Sequence, residues 1–307
     1  MTRLAFGLCL ATLFLPGPIV LSAIGQAQTP APPPLSRRMQ VRLVPPSTFN
    51  ADVFGDLDED VSFLLEVIDT VDRSVTVKAG SPAEAAKELR AGDEHRLITH
   101  DFVAAHASYE RVIALKVDAD TTGRAHLGMA LTLGAVKSFP LALTSVAEAV
   151  RLLPASADAK LVSGLIYILK HDLRAAIPWL RAAAQLDPKS YEAQYWLGFT
   201  LLHGDGASDE ASLAAFREAL RLRPRDTNAA ATGVGMAAMK LGYVDDAMNA
   251  FEPLIKRTPV NRLAYWFLGL AYLNVNRRAD AVALAQKLQT ADKKLGDELA
   301  KVIADWK

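Results

Sequence analysis

The stretch GLIYILKHDLRAAIPWLRAAAQLDP, from Gly164 to Pro188, carries the spacing that decides the fold. Between its glycine and its proline stand Ala176, Leu180 and Ala183, so that the successive gaps are 12, 4, 3 and 5 residues. Residues three and four apart share one face of a helix. Glycine and alanine let two helices approach closely, the bulky residue after the alanine plugs the gap, and proline ends the second helix. The stretch therefore predicts a helix hairpin.

The same spacing recurs along the chain. Two further copies keep it, with a lysine in place of the last proline in the second: Gly235, Ala247, Phe251, Leu254 and Pro259; Gly269, Ala281, Ala285, Leu288 and Lys293. Two more copies have two extra residues after the glycine: Gly128, Ala142, Val146, Ala149 and Pro154; Gly198, Ser212, Phe216, Ala219 and Pro224. The extra residues fall at Val136 to Pro140 and at His203 to Ser208, where the turn of the hairpin is expected.

An earlier and weaker copy runs from Pro82 to Asp118. There Ala105, Tyr109 and Val112 keep the spacing of a second helix, but the close-packing glycine is displaced or lost. With this copy the chain contains six repeats over residues 82–293.

This pattern resembles the tetratricopeptide repeat (TPR) family, whose helix pairs recur about every 34 residues. Gly164 and Gly198 are 34 residues apart, and so are Gly235 and Gly269. The resemblance implies an all-α fold, a TPR-type α-solenoid in which about six helix hairpins form a right-handed superhelix. Residues 294–307 are predicted to form a C-terminal capping helix, because the last hydrophobic face of a solenoid must be covered.

Residues 28–81 lie outside the repeat and are predicted to form a Pro-rich tether followed by an acidic segment. Pro30 to Pro34 is the tether, and Met39 to Val44 alternates in the manner of a short strand. The span from Asp52 to Asp72 holds eight acidic residues and no Lys or Arg. Within it, Val61 to Val71 is a predicted helix.

Residues 1–27 are predicted to be a signal peptide. Arg3 supplies a small positive region, Leu4 to Leu15 is apolar, and the small residues ending at Ala27 suit cleavage after that position. We therefore expect a periplasmic or secreted protein. The alternative is an uncleaved anchor, since residues 4–24 are just long enough to span a bilayer. Contact with a membrane would then come only through this leader.

The cysteine content and the charge exclude several kinds of site. Cys9 is the only cysteine and lies in the leader. The cleaved chain would therefore have no cysteine for a disulfide, a thiolate zinc site or nucleophilic catalysis. Loss of Arg3 would leave 34 − 1 = 33 basic and 34 acidic residues, a net charge of −1. This balance predicts no nucleic-acid partner, because non-specific binding needs a broad basic surface.

The sequence contains no recognisable catalytic motif and no metal-binding motif. Asp56, Asp58 and Asp60 have the spacing of the first three ligands of a calcium loop, but Val61 and Val67 replace its glycine and its glutamate. Among the six histidines, none has the spacing of a metal site. We predict no enzyme activity, no catalytic residue, no metal and no cofactor.

The resemblance implies that the first helices of successive repeats line a concave face. These helices carry a second apolar stripe beside the glycines, spaced four and then three residues: Leu161, Leu165 and Ile168; Tyr195, Phe199 and Leu202; Thr232, Met236 and Met239; Trp266, Leu270 and Leu273. A helix that is apolar on both sides should be covered on both sides. The predicted partner-binding residues are Leu161, Leu165, Tyr195, Phe199, Met236, Met239, Trp266 and Leu270.

This stripe predicts an apolar or extended peptide as the ligand. Leu165, Phe199, Met236 and Leu270 stand where TPR proteins that bind chaperone tails usually have asparagine, which argues against a clamp for a terminal carboxylate. Part of the stripe must also pack against the next repeat. The rest could be covered by an external ligand or by the chain's own segment Phe54 to Val71, and sequence periodicity leaves both open.

These features together predict a non-catalytic adaptor of the bacterial envelope that binds a protein or an extended peptide. One alternative is a self-associating scaffold, whose partner is a second copy of the chain. Another is an accessory subunit of an envelope enzyme that uses carboxylates such as Asp58 and Glu59.

Overall fold

The computed structural model describes residues 36–47, 81–204, 208–223, 228–257 and 261–306. These residues form thirteen α-helices and one π-helical turn, His95–Thr99, and no strand occurs among them. The helices are α1 (Ser81–Glu94), α2 (Phe102–Leu115), α3 (Ala119–Ala135), α4 (Phe139–Leu152), α5 (Ala157–Leu169), α6 (Leu173–Leu186), α7 (Tyr191–His203), α8 (Asp209–Leu222), α9 (Asn228–Leu241), α10 (Val244–Arg257), α11 (Arg262–Asn274), α12 (Arg278–Ala291) and α13 (Lys293–Ala304).

The helices pair in chain order into six hairpins, from α1 and α2 to α11 and α12, and α13 packs against the last pair. Each second helix also packs against the first helix of the next hairpin. The predicted all-α solenoid with a closing helix is therefore confirmed. No described helix has the length and apolar character that crossing a bilayer requires.

Side-chain caps define where many of these helices begin. Eight of them follow a Ser, Asp or Asn whose side chain accepts a hydrogen bond from a backbone N–H three residues on. At α5, for example, Ser156 Oγ accepts from the amide of Ala159 at 3.1 Å. A cap of this kind stabilises a helix by about 1 kcal/mol, so these polar residues fix the boundaries that apolar periodicity alone leaves uncertain.

The repeated glycines allow the two helices of a hairpin to touch. A Cβ atom on Gly164 would lie 2.5 Å from Leu180 Cγ, and a Cβ on Gly235 would lie 2.3 Å from Phe251 Cζ. Both distances are far below van der Waals contact. The large residue sixteen positions after the glycine therefore plugs the gap, as the spacing predicts.

Two repeats fill the gap with a residue from a neighbouring hairpin or helix. A Cβ on Gly128 would lie 2.4 Å from Tyr109 Cζ of the preceding hairpin, and not against Val146, the residue in the plug position. A Cβ on Gly269 would lie 3.0 Å from Leu299 Cδ2 of α13. In these repeats the plug position holds only valine or alanine, and a longer side chain from the adjacent element reaches the glycine.

The first repeat has its glycine one residue early. Gly92 packs against the ring of Tyr109, 17 residues later, where the regular repeats have 16. The π-helical turn His95–Thr99 follows directly, and a π-turn takes up one residue more than an α-turn. The displaced glycine is thus accommodated by a bulge at the end of α1.

The two insertions are absorbed differently. In the second repeat they lengthen the first helix, since α3 ends seven residues after Gly128 and α5 ends five residues after Gly164. In the fourth repeat they lengthen the turn, because α7 ends at His203 and α8 begins at Asp209. The expectation that both insertions enlarge the turn is correct for the fourth repeat and wrong for the second.

A left-handed residue recurs in the turn inside several hairpins. Lys137, His171 and Asn276 have φ values of 58°, 59° and 60°, and Gly242 has 82°. The other three turns place Lys, His or Asn in this conformation, so a positive φ alone does not require glycine. A second constraint must therefore act at Gly242.

Candidate functional site

Residues Ser36–Ser47 form neither helix nor strand, lie against the last two hairpins and α13, and are called the strap below. The solenoid residues that hold it are called the strap-binding surface: Gly242, Asp246, Trp266, Asn274 and Glu298. Met39 to Val44 was predicted to be a strand. It forms no strand and pairs with none within the described residues, because helix ends and side chains bind its main chain.

Carboxylates hold both ends of the strap in the same way. The amide and the hydroxyl of Ser36 both donate to Asp246 Oδ2 at 2.7 Å. The amide and the hydroxyl of Ser47 donate to Glu298 Oε1 and Oε2, each at 2.7 Å. Hydrogen bonds to a charged acceptor are stronger than neutral ones. Each end therefore has a paired, charge-assisted anchor.

The strap crosses the turn between α9 and α10 at Gly242. The amide of Met39 donates to the carbonyl oxygen of Gly242 at 2.8 Å. A Cβ atom on Gly242 would lie 2.0 Å from the carbonyl oxygen of Met39, which is backbone and cannot swing aside. The close approach of the strap is thus the second constraint that requires glycine in this turn.

Asn274, at the end of α11, binds the main chain of Arg42 on both sides. Its Oδ1 accepts from the Arg42 amide at 2.9 Å, and its Nδ2 donates to the Arg42 carbonyl at 3.2 Å. The same Nδ2 also donates to Leu270 O at 2.8 Å, which orients the amide group. The contact uses no strap side chain, so it is independent of the residue type at that position.

Trp266 provides a further main-chain contact from the middle of the strap-binding surface. Its Nε1 donates to the carbonyl oxygen of Val44 at 2.7 Å, and its side chain is fully buried. A buried indole N–H needs an acceptor, and here the strap supplies it.

The strap side chains make fewer and more selective contacts. Val41 and Val44 are half-buried against the core, and Pro46 is buried. The guanidinium carbon of Arg42 lies 4.7 Å from the centre of the Trp306 ring, a distance typical of a cation–π contact. Met39, Gln40 and Leu43 are exposed. One edge of the strap is therefore matched to the solenoid, and the other faces away from it.

Replacing Gly242 with asparagine is expected to release the strap while leaving the turn intact. Asparagine tolerates positive φ, as Asn276 does in the equivalent turn, but its Cβ would collide with Met39 O. Hydrogen exchange at the amides of Met39 and Arg42 should accelerate by about tenfold or more. The control is His171→Asn, which makes the same replacement in an equivalent turn. Continued protection of the strap amides in Gly242→Asn would contradict the assignment.

The residues predicted to bind a partner lie mostly in the core. Seven are buried, with exposures from 0% to 7%: Leu161, Leu165, Phe199, Met236, Met239, Trp266 and Leu270. The eighth, Tyr195, is half-buried. The structure brings only Trp266 into direct hydrogen-bonding contact with the strap. Binding of an external partner by these eight residues stays a prediction.

Tyr195 belongs to an aromatic group on α7. Its ring stacks on Tyr191, with centroids 5.8 Å apart and an interplanar angle of 4°. It also meets Trp196 and Phe216 edge-on, at 5.0 and 5.8 Å. Arg223 lies over the other ring of the stacked pair, 4.5 Å from the Tyr191 centroid. Among the predicted partner-binding residues, Tyr195 is therefore the one that is not fully buried, and Tyr191, which was not predicted, stacks on it.

His203, at the end of α7, is held in its neutral form. Burial, together with the nearby Lys240 ammonium, lowers the pKa of the imidazole to about 4. The imidazole ring lies 4.6 Å from the Phe199 ring centre, so its protonation would place a charge beside a buried part of the predicted stripe.

Acidification is expected to destabilise the protein through His203. The unfolded imidazole titrates near about 6.5 and the folded one near 4, so the unfolded state binds the extra proton between these values. The stability contributed by the neutral imidazole is complete above pH ~6.5 and is lost as the pH falls towards ~4. Urea unfolding of the wild type should show about 2 kcal/mol more loss than His203→Gln between neutral pH and pH ~4.5. Equal losses in the two proteins would contradict the buried neutral state.

Four of the five residues of the strap-binding surface were not predicted as site residues. Nothing in the sequence relates Gly242 to Met39. Asp246, Asn274 and Glu298 meet strap residues that precede them by 210, 232 and 251 positions. Periodicity compares residues within one helix pair, so it carries no signal for contacts of this range.

The other predicted features of the N-terminal region lie outside the described residues. They are the leader, the tether, the acidic segment with its possible cover Phe54 to Val71, and Asp56, Asp58 and Glu59. Across the described ranges, no group of three or more His, Cys, Asp or Glu side chains is arranged to hold a metal ion.

A sequence model of the tetratricopeptide repeat family matches residues 127–191, 170–227 and 235–295, which together span more than half of the chain. The chain is a TPR protein. The predicted family is thus confirmed. TPR repeat proteins are generally non-catalytic protein-interaction modules. No curated protein matches this sequence.

Several solved structures share the TPR fold of this chain. YrrB, a TPR protein with an unusual peptide-binding site, is 22% identical, with a TM-score of 0.58 over 64% of this chain and 100% of its own. PilF of Pseudomonas aeruginosa is 16% identical, with a TM-score of 0.59 over 73% of this chain and 100% of its own. MamA is 25% identical, with a TM-score of 0.50 over 54% of this chain and 95% of its own. These likenesses establish the fold.

Proposed function

We propose that this TPR protein is a non-catalytic adaptor of the bacterial envelope that binds a partner polypeptide along the first helices of its repeats. One observation carries the proposal: the solenoid holds a stretch of polypeptide that is neither helix nor strand by its main chain. Asn274 binds both the N–H and the C=O of Arg42, and Trp266 binds the C=O of Val44. A surface that binds main-chain groups can hold an extended segment of another protein in the same way.

The location in the envelope rests on the first 27 residues. Their small positive region, apolar run and small residues before position 28 are typical of a secretory leader. Export would place the repeats where adaptors of envelope assemblies act. The proposed location and the proposed binding therefore rest on different parts of the chain and can be tested separately.

Of the predicted partner-binding residues, only Tyr195 on α7 is half-buried, and its ring stacks on Tyr191 of the same helix. Aromatic side chains supply large contact areas at low entropic cost and dominate many interfaces. The other predicted residues are buried, so a charge at Phe199 or Trp266 would destabilise the fold before it reported on binding. Tyr195 is consequently the informative position.

The test is affinity capture from an envelope extract by residues 28–307, with the retained proteins identified by mass spectrometry. The wild type should retain a specific protein, and Tyr195→Glu should retain at least about tenfold less, as expected for loss of an interface hot spot. Leu141→Glu is the matched control, because Leu141 is an exposed apolar residue on the second helix α4. Circular dichroism should show native helicity in all three proteins.

Two results would oppose this function. If no protein is retained by the wild type, the adaptor proposal fails. If Tyr195→Glu and Leu141→Glu retain the partner equally well, the first-helix face at α7 is not the binding surface. Fractionation of cells that express the full chain tests the location, which the envelope proposal requires to be periplasmic or extracellular.

A further inference from the structure

The strap is bound in a manner that suits a replaceable ligand. Met39, Arg42 and Val44 contact the solenoid through their main chain. Main-chain hydrogen bonds give affinity for any extended segment, and a few side-chain positions then give specificity. The selective positions are the hydroxyl ends Ser36 and Ser47, and the apolar residues Val41, Val44 and Pro46 along the inner edge.

Charge adds to this selectivity. The strap carries Arg37, Arg38 and Arg42 and no acidic residue, a formal charge of +3 over residues 36–47. The carboxylates Asp246 and Glu298 hold its ends, and Asp246 also pairs with Arg217 at 3.4 Å. An acidic peptide would be repelled at both ends, whereas a basic one is attracted. The strap therefore defines the chemistry of a ligand: extended, basic, with spaced β-branched residues followed by proline.

The strap also competes with any such ligand. Thirty-three residues, 48–80, separate it from α1. A segment of the same chain meets its site intramolecularly, at an effective concentration that the connecting residues set. A free segment must displace it, so the site would remain closed to weak ligands.

We propose that the strap-binding surface is a recognition site for an extended, basic, proline-containing segment of a partner polypeptide, and that the strap is its built-in competitor. This inference rests on the proposed adaptor function and specifies the chemistry of the partner. It adds a second site, at α9 to α13, to the aromatic pair on α7.

The experiment measures binding of a fluorescent synthetic peptide, SRRMQVRLVPPS, by fluorescence anisotropy. The proteins span residues 28–307. Val41→Asp/Val44→Asp puts two carboxylates on the inner edge and releases the strap, whereas Gln40→Asp/Leu43→Asp adds the same charge on the exposed edge and leaves it bound. The released protein should bind the peptide at least about tenfold more tightly than the wild type and the control.

Two further variants test the site itself. Adding Asn274→Ala to the released protein should weaken peptide binding by about tenfold or more, because the bonds to both main-chain groups of one residue are lost. Ser36→Pro/Ser47→Pro removes both the amide and the hydroxyl donors of the end anchors without adding charge, and provides a second route to strap release if the aspartates impair folding. A peptide of reversed sequence has the same composition and charge, and it should bind at least tenfold more weakly than the strap peptide.

Several outcomes would overturn the inference. The first is equal peptide affinity of the wild type and both released proteins, and the second is no peptide binding by released proteins that are natively helical. The third is an unchanged peptide affinity when Asn274→Ala is added. The fourth is equal affinity for the reversed peptide and the strap peptide. A doubled mass of the wild type in light scattering, lost on strap release, would assign the surface to self-assembly instead. Failure here leaves capture through Tyr195 untouched, and failure of that capture leaves the peptide result standing, so the two proposals can be judged separately.

Discussion

Replacing Arg96 with methionine is expected to lower the free energy of unfolding by about 3–5 kcal/mol. Arg96 is fully buried, and its Nη2 lies 3.3 Å from Asp93 Oδ1. Tyr109 donates its hydroxyl to the same carboxylate oxygen at 2.6 Å, and Arg96 Nε donates to the Tyr109 hydroxyl at 3.4 Å. Removing the guanidinium leaves a buried carboxylate without its cation, which is far more costly than loss of an exposed ion pair.

The measurement is urea unfolding, with Arg111→Met as the control. Arg111 also pairs with a carboxylate, Glu88, at 2.6 Å, but its side chain is 55% exposed, so its loss should cost less than about 1 kcal/mol. The double variant Asp93→Asn/Arg96→Met should recover part of the loss, because it removes the buried charge as well. Similar costs for Arg96→Met and Arg111→Met would show that the buried cluster does not stabilise the first repeat.

Phe251→Ala is expected to cost about 3–5 kcal/mol, since its fully buried ring fills the gap above Gly235. Gly235→Ala should cost about 1–3 kcal/mol, because its Cβ would lie 2.3 Å from Phe251 Cζ. In the double variant the added methyl group enters space that the ring has vacated. The combined cost should therefore be smaller than the sum of the two single costs.

Urea midpoints of the four proteins in this cycle give the coupling directly. Leu141→Ala serves as a control for loss of an apolar side chain at the surface, and should change stability by about 0.5 kcal/mol or less. Additive costs for Gly235→Ala and Phe251→Ala would show that the small size of the glycine does not serve to make room for the ring.

Sequence spacing predicted those parts of the fold that depend on contacts within one repeat. The distance from Gly164 to Leu180 repeats at Gly235 and Phe251, and the structure brings both pairs into contact. The first repeat was harder to recognise because the π-helical turn His95–Thr99 shifts its glycine by one residue. Packing within a repeat produces a periodic pattern of residue types in the sequence, and a one-residue bulge is enough to disrupt that pattern.

The candidate site was only partly predictable. The apolar stripe through Trp266 and Leu270 correctly marked a helix with two covered sides, but most of that cover is the protein core. Hydrophobicity indicates that a side chain is buried, but it does not identify the residues that cover it. The strap-binding residues Asp246, Asn274 and Glu298 are polar, and such residues are common on exposed helix surfaces. Only the three-dimensional structure relates them to a segment more than 200 residues earlier.

The order in which the chain is synthesised gives the strap a particular history. Arg42 precedes Asn274 by 232 residues, and a ribosome that adds about 5–20 residues per second needs roughly 10–50 s to cover that distance. Until then the strap lacks its contacts with Asn274 and with α13, while the early hairpins can already pack against one another. The strap is the earliest-made of the described segments, and it therefore completes its docking only after the last repeat has been made. During that interval its three arginines and its valines are available to factors that bind the nascent chain.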